Sequence, residues 1–202
     1  MIKTDYIILR KIPYQESSLI VSGISPECGR LDFLLKGARS AGAKKFPFAG
    51  LFRCMNVEFR ENTGASTLFY LKSHEPKISF DAIANQPENY IAVCEYSSFL
   101  LRHTRPMLEL PMTYQAFYTL LSRLTSPPDQ NYFALAAAKL VFLYESGFVP
   151  DETENDPGKR ISLEKILDYA MISGAECPDF SEKYKQDLIH WIDSLGKYVS
   201  SL

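Results

Sequence analysis

The chain has 202 residues, of which 46% are apolar, 13% aromatic and 23% charged. This composition is typical of a soluble globular protein and excludes collagen-like and disordered chains. The longest apolar stretch, Phe133 to Leu143, is interrupted by Lys139 and is far shorter than the roughly 20 residues that cross a bilayer. The first residues do not resemble a secretory signal, so we expect a cytoplasmic protein without a membrane span.

Positive charge is concentrated in the first part of the chain, although the net charge is −2. Residues 1–75 hold 11 Lys/Arg against 7 Asp/Glu, whereas residues 76–202 hold 11 against 17. Between Arg30 and Arg53 only Asp32 accompanies six basic residues, which are Arg30, Lys36, Arg39, Lys44, Lys45 and Arg53. Such a cluster favours a surface that binds a polyanion, but it would also suit an ordinary solvated surface.

Residues 1–75 show the pattern of short β-strands separated by turns. Arg30 to Lys36 alternates, so that one face is apolar and the outer face is charged. Strands are predicted at Tyr6–Leu9, Ser18–Ile24, Arg30–Lys36, Met55–Arg60 and Ser66–Leu71. Five strands, with the longest connection between the third and the fourth, suit a small Greek-key barrel of the OB type. An SH3-like barrel fits the pattern nearly as well.

From residue 76 onward, apolar residues recur with the spacing of helices. The helix after Asp129 is apolar on nearly all sides and should lie at the centre of a bundle. The other helices are predicted to begin near Pro87, Thr113, Ser162 and Ser181. The predicted fold class is therefore α+β, with a five-stranded OB-type barrel over residues 1–75 and an all-helical domain over residues 76–202.

The connection from Gly37 to Gly50 combines glycine, alanine, basic residues and two phenylalanines. Basic side chains neutralise phosphates and phenylalanine stacks on unpaired bases, which is how single strands are held without reading their sequence. The phenylalanines would equally suit a role in plugging the end of the barrel. The predicted nucleic-acid-binding residues are Arg30, Lys36, Arg39, Lys44, Lys45, Arg53, Phe46 and Phe48.

The sequence contains no local motif for catalysis, a cofactor or a metal. There is no nucleophile elbow, Walker A motif or dinucleotide-binding glycine pattern, and the three histidines lie in separate segments. The cysteines, Cys28, Cys54, Cys94 and Cys177, form no CxxC pair. We therefore expect reduced thiols and a non-enzymatic protein that carries neither metal nor cofactor.

Three segments resemble the N-terminal barrel of the RecO family of bacterial recombination mediators. They are Tyr14 to Leu19, Ser25 to Leu31, and Lys36 to Ser40. The order of the whole chain is also similar, since the apolar helix ends in Glu145 to Pro150 and the last segment, His190 to Leu202, resembles the family's C-terminal helix. The resemblance implies a DNA repair and recombination protein that binds single- and double-stranded DNA and anneals complementary strands. It also implies partnership with RecR and the single-stranded-DNA-binding protein in loading the RecA recombinase.

The chain departs from the family pattern at two places. Many members have a four-cysteine zinc module in the helical domain, but here the corresponding region has only Cys177. Ser40 stands where a second basic residue often follows Lys36 to Arg39. A protein-interaction barrel and an RNA-binding barrel, both without a role in recombination, are the alternative functions.

Overall fold

The computed structural model describes residues 1–40, 50–60, 68–125, 131–150 and 156–201. The described strands are β1 Ile2–Tyr14, β2 Ser18–Ser25, β3 Gly29–Leu35, β4 Arg53–Phe59, β5 Leu68–Phe69 and β6 Leu71–Ser79. A 3-10 helix, Asp81–Asn85, precedes the α-helices α1 Pro87–His103, α2 Pro111–Leu124, α3 Asn131–Glu145, α4 Pro157–Met171 and α5 Glu182–Ser201. The predicted α+β class is confirmed.

The described chain divides into two compact units, Met1–Pro111 and Met112–Leu202. The first unit contains the sheet and α1, and the second contains α3, α4, α5 and nearly all of α2. The domain boundary that the sequence places at residues 75/76 stays a prediction. No described helix is long and apolar enough to cross a membrane.

The sheet of the first unit has its two edge strands next to each other in the chain. The strand order is β5-β3-β2-β1-β4-β6. β5 pairs parallel with β3, and β6 pairs antiparallel with β4. Only Tyr70 separates β5 from β6, so the Cα atoms of Phe69 and Leu71 lie within about 8 Å of each other. The sheet must therefore curl until its edges meet, which is consistent with an OB-like domain.

The predicted count of five strands is wrong, because the described sheet has six. The fifth predicted strand is interrupted at Tyr70 and continues as β6 past Pro76; its first two residues, 66 and 67, lie outside the described residues. β6 was missed because most of its side chains are exposed, so it lacks apolar alternation. Pro76 is tolerated because β6 is an edge strand with a register shift opposite Cys54 and Met55.

The inside of the curled sheet is filled by an aromatic cluster centred on Phe33. The Phe33 ring packs edge-to-face against Tyr6 at 5.1 Å and Phe59 at 5.3 Å between centroids. Phe59 contacts Phe69 in the same way at 5.0 Å. The buried Tyr6 hydroxyl donates to the Leu31 carbonyl at 3.0 Å, and burial raises the pKa of this phenol well above its usual value. These pairs add directional contacts to the hydrophobic free energy of the core.

The outer face of the sheet is also buried where it meets the chain around α1. Ile7 pairs with Ile24 on one side and Cys54 on the other, and all three are at most 2% exposed. Burial raises the pKa of the Cys54 thiol to about 12. Asp32 is only 7% exposed, so the charged outer face predicted for this hairpin is partly covered. The strands are buried on both faces, which period-2 alternation alone does not predict.

The turn between β2 and β3 is joined to the segment that follows α1. The Arg30 amide donates to the Arg105 carbonyl at 3.2 Å, and the Met107 amide donates to the Cys28 carbonyl at 2.8 Å. Gly29 forms an isolated bridge with Pro106. Its φ is +58°, and a Cβ there would lie 2.2 Å from the Leu108 carbonyl oxygen. Only glycine fits this close approach.

In the second unit, α3 is buried on nearly all sides and packs against both α4 and α5. This confirms its predicted central place. Arg123, on α2, holds the end of α4, because its Nη2 lies 3.0 Å from the Tyr169 carbonyl and 2.8 Å from the Ala175 carbonyl. The guanidinium also lies 4.2 Å from the centroid of the Tyr169 ring. A cation at a helix C-terminus is favourable for the helix dipole.

We expect Gly29→Ala to lower the free energy of unfolding by roughly 2 kcal/mol or more, through backbone strain and overpacking together. Gly174→Ala is the matched control, since Gly174 also has a positive φ, of +83°, but nothing lies within 4 Å of its would-be Cβ. It should cost only the strain, about 1–2 kcal/mol. Urea unfolding followed by circular dichroism measures both. Equal losses would contradict the close packing at Gly29.

Candidate nucleic-acid interface

The structure describes four of the eight residues that the sequence predicts for nucleic-acid binding. Lys44, Lys45, Phe46 and Phe48 lie outside the described residues. The other four, Arg30, Lys36, Arg39 and Arg53, all belong to the first unit.

The side chain of Arg30 is used inside the first unit. Its Nε lies 3.0 Å from Asp32 Oδ2, and its Nη1 donates to the Leu101 carbonyl of α1 at 2.7 Å. The side chains of Arg30 and Asp32 are 28% and 10% exposed. This guanidinium therefore neutralises a buried carboxylate and links β3 to α1. Fewer of its N–H donors are left to bind a phosphate.

Arg53 begins β4 and is paired as well. Its Nη2 lies 2.6 Å from Asp81 Oδ2, in the 3-10 helix. The hydrogen bond from Arg53 lowers the pKa of the Asp81 carboxyl, so that this carboxylate is charged at neutral pH. Arg53 thus lies beside a negative charge rather than in a purely positive patch.

Lys36 and Arg39 lie in the turn that follows β3, next to the turn between β1 and β2. The Arg39 amide donates to the Ser17 carbonyl at 2.8 Å, and Leu35 pairs with Leu19. Lys36 and Arg39 are both exposed. Since a strand rises about 3.3 Å per residue, Lys36 is roughly 20 Å along β3 from Arg30. The basic cluster of the sequence is therefore divided along the length of the strands.

Sequence reasoning missed a pocket at the junction of β5 and β6. The pocket has a volume of about 380 Å³ and is lined by Arg60, Tyr70, Leu71 and Lys72. Lys36 Nζ lies 5.2 Å from the centroid of the Tyr70 ring, which is a cation–π distance. We call this set, with Lys36, the Tyr70 pocket. It places an exposed aromatic ring beside three cationic side chains.

One carboxylate, Glu58, lies next to the Tyr70 pocket. Ser73 Oγ donates to it at 2.8 Å, and Lys72 Nζ lies 3.5 Å away. The Ser73 hydrogen bond, supported by Lys72 and Lys3, lowers the pKa of the Glu58 carboxyl. Glu58 is thus charged at neutral pH and offsets Lys72 in part.

The sequence feature that points to this pocket is that the side chain of Tyr70 faces away from the core, whereas those of its neighbours Phe69 and Leu71 face toward it. Phe69 is 6% exposed, whereas Tyr70 is 52% exposed. Leu71 packs partly against the core. Alternation along the strand therefore turns the Tyr70 ring outward. The proximity of Lys36 to Tyr70 could not be read from the sequence, because it depends on the parallel pairing of β5 with β3.

Among the described residues, no three His, Cys, Asp or Glu side chains lie close enough to hold a metal ion. All four cysteines are free thiols, and burial is the largest cause of the raised pKa of each. A raised thiol pKa lowers the thiolate fraction on which nucleophilic chemistry depends. What the described part of the first unit offers is a curled sheet with cations and the exposed ring of Tyr70 at an end.

Curled sheets with a basic, aromatic surface are a form that nucleic-acid-binding domains take. A family model described as "Recombination protein O N terminal" matches residues 1–80. The match ends one residue after β6, so it covers the described sheet and none of the α-helices. This match confirms the predicted resemblance to the RecO family over residues 1–80. No curated protein matches the chain.

Arg30→Met should lower the free energy of unfolding by roughly 1–3 kcal/mol, because the buried Asp32 carboxylate loses its partner. We expect DNA affinity at fixed salt to change little. Lys36→Met removes the same charge from an exposed position and should show the opposite pattern, with stability kept and affinity reduced. Urea unfolding and fluorescence anisotropy measure the two effects. A loss of affinity at unchanged stability in Arg30→Met would contradict its structural role.

Proposed function

We propose that the protein is a non-enzymatic mediator of recombinational DNA repair that binds single- and double-stranded DNA and promotes the annealing of complementary strands. The observation that carries the proposal is the coincidence of the RecO match, residues 1–80, with a sheet whose end bears Lys36, Arg39 and the Tyr70 pocket. Cations in that arrangement contact phosphates regardless of base sequence. An OB-type barrel, formed by the six described strands up to Ser79 and broken at Tyr70, is part of this proposal.

The proposal extends to partners. We assign to the protein RecR and the single-stranded-DNA-binding protein as partners, and through them the loading of RecA on DNA in the bacterial cytoplasm. The charge of the second unit supports a division of labour, since residues 112–202 hold 8 Lys/Arg against 13 Asp/Glu. A surface of that sign is repelled by phosphates. In this proposal the helices bind proteins and the sheet binds DNA.

If four to six phosphates are neutralised, the logarithm of DNA affinity should fall with the logarithm of salt concentration at a slope of about −3 to −5. The double variant Lys36→Glu/Arg39→Glu should weaken binding to all sequences alike and make the slope less steep by about 2. Anisotropy titrations of single-stranded and duplex DNA at several salt concentrations measure both quantities.

The matched control is Lys165→Glu/Lys197→Glu, which makes the same change in charge at exposed positions of α4 and α5. It should leave the slope unchanged. A slope near zero for the unaltered protein would overturn DNA binding, and equal losses in both double variants would remove the assignment to the sheet. Preference for RNA over DNA of equal length would favour the RNA-binding alternative, because the 2′-hydroxyl permits that discrimination.

A further inference from the structure

Tyr70 is held at a fixed place with its ring in solvent. The neighbouring Phe69 side chain is buried in the aromatic cluster, and Leu71 packs against the same cluster. β5 and β6 anchor the backbone on either side, by pairing with β3 and β4. The ring is therefore presented by rigid elements although it is 52% exposed. Rigid presentation reduces the entropy lost when a ligand binds.

An exposed tyrosine alone indicates no site, since single apolar residues are common on protein surfaces. Tyr70 is distinguished by what surrounds it. Lys36 Nζ lies 5.2 Å from its ring centroid, and Arg60 and Lys72 line the pocket of about 380 Å³ with it. That volume is within the range of small-ligand pockets, roughly 300–1,000 Å³. The pocket combines a flat π-surface with three cationic side chains.

The charges that face the pocket favour an anionic ligand. Among the residues that the structure describes, Glu58 is the acidic group beside it, and this carboxylate already accepts from Ser73 and pairs with Lys72. Arg60 makes a weak contact, from Nε to Met1 Sδ at 3.3 Å. Lys36 contacts the Tyr70 ring. A ligand with a planar ring next to an anion would meet both the aromatic and the cationic partners of the pocket.

We propose that Tyr70 stacks on an unpaired base of a nucleic-acid strand while Lys36 and Arg60 contact the phosphates beside that base. The inference rests on the proposed function and adds to it a subsite that selects single strands. In a duplex the faces of the bases are covered by their neighbours, so an isolated ring on the surface gains contact only with an unstacked base. Phosphate contacts are common to both forms. Tyr70 thus distinguishes single strands from duplex, whereas the cations contribute affinity for both.

The test compares the unaltered full chain with Tyr70→Ala, Tyr70→Phe and Tyr198→Ala. Tyr198 is 60% exposed on α5 of the second unit, so it controls for loss of an exposed tyrosine. Anisotropy titrations use single-stranded DNA, single-stranded RNA and duplex DNA of one length at one salt concentration. Circular dichroism melting confirms that each variant is folded.

Tyr70→Ala should weaken single-stranded binding about 5- to 150-fold, the equivalent of losing one stacked base. Duplex binding should change less than twofold. Tyr70→Phe should bind single strands like the unaltered protein, because the ring rather than the hydroxyl makes the contact. Tyr198→Ala should have no effect. A 2-aminopurine base in the single strand should lose fluorescence on binding to the unaltered protein and keep more of it with Tyr70→Ala.

A loss confined to single-stranded DNA, or shared by DNA and RNA single strands, supports stacking and identifies which strands the subsite accepts. Equal losses on single strands and duplex would overturn it, as would unchanged single-stranded affinity or a Tyr70→Phe variant as weak as Tyr70→Ala. In those cases DNA binding itself stands. If the unaltered protein binds none of the three nucleic acids, the proposed function fails, and this subsite fails with it.

Discussion

The closure of the sheet at Tyr70 is the constraint on which the first unit depends. β5 lies at one edge of the sheet and β6 at the other, yet a single residue separates them in the chain. A flat six-stranded sheet would put those edges more than 20 Å apart, at about 4.8 Å per strand. The sheet must therefore curl, and curling brings Phe69 onto Phe33 and Phe59 to form the aromatic core. The same step leaves Tyr70 outside, next to the turn that carries Lys36.

A second constraint separates the structural cations from the exposed ones. Near α1 the outer face of the sheet is covered, so a charged residue there must find a partner inside the protein. Arg30 and Asp32 pair with each other, and Arg30 also reaches the Leu101 carbonyl. At the other end of β3 no such cover is required, and Lys36 is exposed. Arg30, near the start of β3, therefore serves stability, whereas Lys36, directly after the strand ends, is accessible to a ligand.

The sequence predicts the elements better than it predicts the site. The positions of β2, β3 and β4 and the helix starts at Pro87 and Thr113 agree with the structure to within about two residues, because their apolar periods are strong. The sequence does not predict β6, because an exposed edge strand needs no apolar face. The sequence places the basic residues in one cluster, but the rise along the strand separates its members, and Asp32 and Asp81 pair with two of them. Predicting the site at Tyr70 would require knowing which strands become neighbours in the sheet.

The division between phosphate contacts and a stacking ring bears on how such a protein could anneal strands. Annealing requires that a surface hold a single strand, allow its bases to meet a complement, and then release or tolerate the duplex. A surface made only of cations would bind the more densely charged duplex at least as strongly, since affinity follows the phosphates neutralised. One exposed ring stabilises the bound strand only while the base is unpaired. This stabilisation is lost when the base pairs. In the proposed function, pairing itself therefore weakens the contact at Tyr70, while Lys36 and Arg39 keep the product within reach of the sheet.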